Sequence, residues 1–248
     1  MRWSFLLLMS CTASAAEPDG PGERYRYSPA SRDGIGKFYQ GREISHVMGH
    51  LGAGWLERES RVKEEAPEKL IEALPLAPDS VVADIGAGTG YFSFRISPRV
   101  PKGMVYAVDI QPEMIGKLRS TASKRGIRNV KPILSTESNP RLPPGAVDLA
   151  LMVDAYHEFA YPYEMMTELF RALKPGGRAV LVEYRGEDPT IAIKPLHKMT
   201  EAQAIKEMQL IGFHHEKTLS VLPVQHILVF RKPQSPTSTK GAQKKGLP

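Results

Sequence analysis

Three glycines spaced two apart, Gly86, Gly88 and Gly90, stand directly behind the apolar run Val81 to Ile85. Glycines there let a backbone come close to a ligand at the carboxyl end of a strand. The dinucleotide fingerprint G-x-G-x-x-G needs its third glycine one position later, where Tyr91 stands, and a phosphate loop needs a Gly-Lys-Ser/Thr that does not follow. The loop therefore fits a cofactor without phosphates. Asp84, two residues before Gly86, would repel a pyrophosphate but suits a cationic amino or sulfonium group. It could equally order the loop by accepting backbone N–H bonds, and both roles can hold at once. Asp109, followed by Ile110 at the end of a second apolar run, is placed where a carboxylate can accept from both hydroxyls of a ribose. The alternative for Asp109 is an N-cap on the helix that opens at Pro112.

A second group of chemically capable residues, Asp154-Ala155-Tyr156-His157-Glu158-Phe159, closes a later apolar run. His157 has the ordinary pKa of a base near neutral pH, and Asp154 or Glu158 can position a substrate or the amino-acid end of a cofactor. The plainer alternative is that Tyr156 and His157 pack on the loop. His46 and His50 are four apart, a spacing that can chelate on a helix, but the glutamate of H-E-x-x-H is missing and Gly49 weakens a helix, so a lid contact is expected. His214 and His215 open a strand as surface or core residues. No metal site is expected.

Five short apolar runs must position these groups: Val81 to Ile85, Met104 to Asp109, Val130 to Leu134, Val147 to Val153 and Ala179 to Tyr184. Near-continuous apolar runs are what a parallel sheet covered on both faces requires. Between them lie helical patterns from Gly90 to about Ser97, Pro112 to Arg125 and Pro162 to Leu173, the last stopped by Lys174-Pro175-Gly176-Gly177. The alternation specifies an α/β, doubly wound sheet. Thr200-Glu201-Ala202-Gln203 reads as a capping box before a helix to Ile211, and two strands near 215–222 and 225–230 are joined too tightly to be anything but antiparallel. Before the first run, Pro67 opens a helix with Leu70, Ile71 and Leu74 on one face. Ile44, Val47, Met48, Leu51, Trp55 and Leu56 recur at helical spacing despite three glycines. Residues 17–43 show neither period and read as a linker.

The segments Val81-Val82-Ala83-Asp84-Ile85-Gly86-Ala87-Gly88-Thr89-Gly90-Tyr91-Phe92, Val105 to Asp109, Val147 to Leu151 and Leu173 to Arg178 resemble, in order and spacing, the successive motifs of class I S-adenosylmethionine-dependent methyltransferases. The resemblance covers roughly Pro67 to Phe230. It implies a Rossmann-like, mostly parallel seven-stranded sheet with an antiparallel last strand. It also implies S-adenosyl-L-methionine as cofactor, its methionine and ribose parts lined by the glycine loop and its ribose held by Asp109. The amino-terminal segment 44–66, with Met48 and Trp55, would fold over the cofactor and shape the acceptor pocket. Where many relatives place an Asp to meet the adenine amino group, this chain has Ser135-Thr136-Glu137, which leaves the adenine contact open. The methyl acceptor is expected to be a small molecule or an exposed protein side chain. Asp154-Ala155-Tyr156 lacks the Asp/Asn-Pro-Pro-aromatic pattern of DNA amino methylation.

At 248 residues, 42% hydrophobic and 24% charged, the chain can build one sizeable core, here 44–232. The net charge of +6 is scattered, and its densest group lies in the Pro-, Ser- and Lys-rich tail 233–248, which cannot bury enough apolar surface to fold. No specific nucleic-acid partner is expected. Residues 1–16 read as a secretory signal cut near Ala15, with an apolar run far too short to span a bilayer, which predicts export to a bacterial periplasm. A lipid anchor at Cys11 is the alternative, and a true start at Met9 would keep the protein cytoplasmic. A chain cut near Ala15 would contain no cysteine, which excludes disulfides and thiol-dependent methylation of cytosine carbon or arsenic. An export signal also admits a second reading, a non-catalytic ligand- or partner-binding protein on the same fold.

Overall fold

A computed structural model describes residues 24–234. The expected signal, Cys11 and the tail from 235 onward lie outside the described residues. Among the described residues, no helix is long and apolar enough to cross a membrane.

The central sheet contains β4 (Val81–Ile85), β5 (Met104–Asp109), β6 (Val130–Leu134), β7 (Val147–Val153) and β8 (Leu173–Arg185), followed by β9 (Lys198–Met199), β10 (His214–Leu219) and β11 (Gln225–Arg231). Its order is β10-β11-β8-β7-β4-β5-β6, with β9 added beside β8. The pairs from β6 through β8 are all parallel, and β11 runs antiparallel to both β8 and β10. This is the expected seven-stranded, mostly parallel sheet, with β9 as an eighth short strand. The first four expected runs coincide with β4 to β7, because strands buried on both faces leave an uninterrupted apolar signature.

Burial on two faces is visible residue by residue. Leu149 and Leu151 join Leu70, Ile71, Ile96 and Leu118 on one side, while Ala150 and Met152 join Met165, Leu169, Met208 and Phe213 on the other. The first side is covered by α3 (Pro67–Ala73), α4 (Ser93–Ile96) and α5 (Pro112–Lys124), and the second by α6 (Pro162–Ala172) and α7 (Glu201–Gln209). Each fully buried Leu or Ile contributes about 1.5–3 kcal/mol over leaving it in water, so the alternation fixes the register. The Thr200 hydroxyl caps α7 by accepting from the Gln203 amide at 3.1 Å, which is the expected cap. The helix expected from Gly90 is shorter, because the backbone stays irregular to Phe92 and passes into a 3-10 turn at Ser97–Arg99.

The main correction lies upstream. Residues 17–43 do not read as an element, yet β1 (Arg26–Tyr27), β2 (Gly34–Tyr39) and β3 (Arg42–Ser45) form an antiparallel sheet of their own. Polar anchors hold it where hydrophobic periodicity does not. The Glu43 carboxylate accepts from the amides of Ser31 and Gly36, at 3.0 and 2.9 Å. Lys37 lies over the rings of Tyr25 and Tyr161, at 4.0 and 3.3 Å. Arg24 and Tyr25 both reach Glu164 on α6. The helix expected from Ile44 is also corrected: Ile44 belongs to β3, and the segment holds only a 3-10 turn (His50–Gly52) and the short helices α1 (Ala53–Leu56) and α2 (Arg61–Glu65). Gly49, in extended backbone, separates the strand from the helical turns that follow.

Candidate active site

A cavity of about 490 Å³ opens at the carboxyl ends of β4, β5 and β7, the size of an ordinary small-molecule site. The register aligns Ile85 with Val108 on one side and Met152 on the other, so the loops leaving these strands converge. Gly86 and Gly88 line the cavity, and the amides of Gly86 and Ala87 both donate to the Val108 carbonyl, at 2.9 and 3.0 Å. Gly86 has φ +73°, and a Cβ there would stand 2.8 Å from the Ala155 Cβ, so only glycine lets the cofactor loop meet the acceptor loop. Gly90 does not line this cavity. Its missing Cβ makes room for Phe94 and Leu118.

Asp84 is also set behind the wall. Its carboxylate accepts from the Ser93 hydroxyl at 2.6 Å, and burial raises its pKa to about 6 against those hydrogen bonds. The geometry favours the loop-ordering role. Asp109 does line the cavity, accepting from the Gly88 amide at 2.8 Å and the Gln111 amide at 2.9 Å. It ties the glycine loop to the turn before α5. Gln111, not Asp109, occupies the N-cap of that helix, so the capping alternative does not hold. Ile110, Ser135, Thr136 and Glu137 complete this end of the cavity.

Asp154 leaves β7 with φ +49°, a left-handed conformation that costs a non-glycine residue about 1–3 kcal/mol and turns its carboxylate to the cavity wall. One oxygen accepts from the Gln225 amide at 2.7 Å, and the other is buried without a partner. Burial first, then the charges of Glu65 and Glu183, raise its pKa to about 8. An unpartnered buried acid oxygen is a place made for a cationic ligand.

His157 and Glu158 follow on a 3-10 turn, Tyr156–Glu158, and both line the cavity. His157 Nδ1 lies 2.6 Å from the Glu183 carboxylate, and its Nε2 lies 3.1 Å from Nδ1 of His197. Burial lowers the His157 pKa, but the neighbouring Glu183 outweighs it and the net direction is upward. His197 moves the other way, to about 4, through burial and the adjacent His157. Glu158 is raised to about 7 by burial, and one of its oxygens accepts the Met48 amide at 3.2 Å. Tyr156, by contrast, turns inward to give its hydroxyl to Glu207 at 2.7 Å.

The amino-terminal sheet holds this turn from behind. Arg42 grips Glu207 through two nitrogens, at 2.6 and 3.0 Å, and donates to the His157 carbonyl at 3.2 Å. Val47, Met48, Trp55 and Leu56 of the 44–66 segment line the cavity beside this turn. Arg58 and Arg61 also line the wall, both paired to Glu65 at 2.6 Å. The sequence reading misses Glu183, His197, Arg58 and Arg61. Only Glu183 had a signal, being the one acid within the apolar run Ala179 to Tyr184. His46 is exposed and not on a helix with His50, so they form no chelating pair.

Residues 82–177 match the family model described as a methyltransferase domain. An uncharacterized methyltransferase, YcgJ of Bacillus subtilis, is 28% identical over 155 residues, 61% of this chain and 60% of that protein. A demethylmenaquinone methyltransferase of Thermus thermophilus is 31% identical over 112 residues, 45% of this chain and 50% of that protein. The chain thus spans little more than half the length of these curated relatives. A solved S-adenosylmethionine-dependent methyltransferase from Aquifex aeolicus superposes with a TM-score of 0.70 at 25% identity, covering 75% of this chain and 99% of that one. The fold of the described chain is thus that of a solved S-adenosylmethionine-dependent methyltransferase. Asp109, Asp154, His157 and Glu158 fall inside the matched span, whereas Arg42, Met48, Glu183 and His197 fall outside it.

Proposed function

We propose that this protein transfers a methyl group from S-adenosyl-L-methionine to a small molecule with an apolar body and one nucleophilic oxygen or nitrogen. The observation that carries the reading is the cavity itself, where a glycine cradle, the buried Asp109 and the half-buried Asp154 face His157 and Glu158. When bound, the cofactor supplies an electrophilic methyl group on a sulfonium.

The chain's own residues fit that group. Asp109 accepts from hydroxyls at the rim, Gly86 and Gly88 leave room for the ligand backbone-close, and the unpartnered oxygen of Asp154 meets positive charge. In-line displacement needs alignment, exclusion of water and removal of a proton where the acceptor carries one. Glu183 holds Nδ1 of His157 and His197 meets its Nε2, so the two histidines, both lining the cavity, form the relay that takes that proton. Met48, Trp55, Phe159 and Met165 exclude water and favour an amphipathic small molecule over a flat polar one. A protein side chain is the second acceptor class.

We further propose that residues 1–16 direct export to a periplasm, with Cys11 as the lipidation site if the signal is not simply cleaved. Mass measurement of the mature N-terminus with cell fractionation tests this. Calorimetry with S-adenosylmethionine tests the main reading. Tight binding that Asp109→Ala weakens is expected, and its absence would overturn the assignment. Transfer of labelled methyl into extract fractions then identifies the acceptor class, while binding without any labelled product would favour the non-catalytic reading.

A further inference from the structure

We infer that His157, His197 and Glu158 together form a binding site for a divalent transition-metal ion of the zinc or ferrous class, beside the methyl-acceptor end of the cavity. The three ligand atoms face one another: His157 Nε2 to His197 Nδ1 is 3.1 Å, His157 Nε2 to Glu158 Oε1 is 3.9 Å, and His197 Nδ1 to Glu158 Oε1 is 3.8 Å. A circle through three atoms with those separations has a radius of about 2.1 Å, which is the bond length of zinc to imidazole nitrogen or carboxylate oxygen. An ion could therefore reach all three with little movement.

The surroundings are also those of a metal site. A ligating imidazole usually gives its other nitrogen to a carboxylate, which fixes the tautomer and aims the lone pair. Glu183 does this for His157 at 2.6 Å, fully buried. Glu158 is fixed as well, since one oxygen holds the Met48 amide and the other faces the histidines. Among the described residues, Asp154, Glu158 and Glu183 converge with no lysine or arginine bonded to any of them. Buried acids without a cation are costly, and an ion at the histidines would relieve two of the three. Two imidazoles and one carboxylate select a borderline transition metal over magnesium or calcium, which prefer oxygen. Three protein ligands leave a further coordination position, and all three residues line the cavity.

The assignment deepens the methyl-transfer reading, because an ion here would replace His157 as the group that activates the acceptor, and an acceptor oxygen is then the fitting nucleophile. Metal binding itself does not rest on that reading. The test uses the full chain, stripped with a chelator and titrated with Co²⁺ and with Zn²⁺, followed by visible absorption and by calorimetry. One equivalent per chain is expected, with cobalt bands of low-symmetry coordination. His197→Ala and Glu158→Gln should each weaken binding at least a hundredfold while the thermal transition of the metal-free protein persists. Glu183→Gln should weaken it by about ten- to a hundredfold, as a positioning residue that does not touch the ion. His214→Ala, at an exposed histidine outside the cavity, should change nothing. No stoichiometric binding, or binding untouched by His197→Ala and Glu158→Gln, would overturn the proposal. S-adenosylmethionine binding is measured on the stripped protein in parallel. Cofactor binding without metal binding sinks only the metal site, and metal binding without cofactor binding sinks only the methyl-transfer reading.

Discussion

The two ends of the cavity are built by different physics. The cofactor end is made of backbone: Gly86 and Gly88, held to Val108, with Asp109 tying the loop to the next turn. The acceptor end is made of side chains, with His157 held by Glu183, which also accepts the Tyr156 amide, and Glu158 held by the Met48 amide. Behind it stands a separate sheet, β1 to β3, anchored through Arg42 to Glu207 and through Arg24 and Tyr25 to Glu164. A parallel sheet can serve many reactions because its strand-end loops hold the cofactor while added segments define the partner. In this chain the acceptor end straddles the boundary of the family match, with His157 and Glu158 inside it and Glu183 and His197 outside.

If the two ends are independent, substitutions should separate cleanly. The largest effect is expected from Arg42→Ala, which leaves Glu207 buried without its cation and should cost about 3–5 kcal/mol of stability, or about 10 °C in Tm. Chemical denaturation checks the first and calorimetric melting the second, and S-adenosylmethionine affinity at low temperature should stay within about twofold. Equal loss of cofactor affinity would break the comparison. Asp109→Ala should do the reverse, weakening the cofactor by about 3 kcal/mol, roughly a hundredfold, through lost charged hydrogen bonds. Glu183→Gln should reduce kcat by about ten- to a hundredfold with cofactor Kd unchanged, since it disturbs only the orientation of His157.

The smallest effect concerns pH. Asp154 ionises at about 8, so at neutral pH it is mostly protonated before a cation arrives. A positively charged ligand binds the ionised form, so affinity should rise as pH increases toward 8 and then level. Below that, each pH unit should weaken binding by at most about tenfold. Asp154→Asn should flatten the profile, and a profile that keeps its slope in this variant would place the titrating group elsewhere.

The sheet was legible in the sequence because strands buried on both faces cannot hide their apolar runs. The glycine loop was legible because positive φ and close approach leave glycine as the residue that fits. Gly90 and Asp84 were expected in the cavity, and the structure sets both one layer behind it, a distinction of side-chain direction that spacing does not encode. The amino-terminal sheet was not legible, because Glu43, Lys37 and Arg42 hold it by polar contacts that have no period. His197 was hidden for a related reason. It stands on a 3-10 turn, Pro195–His197, brought to His157 across 40 positions of chain by β8 and β9. Nothing local to residue 197 announces that meeting.

The docking of the amino-terminal sheet also sets an order of assembly. Arg24 and Tyr25 meet Glu164 only 140 and 139 residues later in the chain, and Arg42 meets Glu207 after 165. A polypeptide emerging from its amino end must therefore hold these strands in waiting until nearly everything else has been synthesised. Contacts so distant in sequence carry a large loop-closure cost and form late. The hydrogen bonds of the glycine loop, to Val108 and Asp109, close within about two dozen residues and can form long before. A nascent chain would thus close its glycine loop first and gain the support behind the His157 turn last, so that the residues placed to activate a substrate come into alignment only once folding is complete.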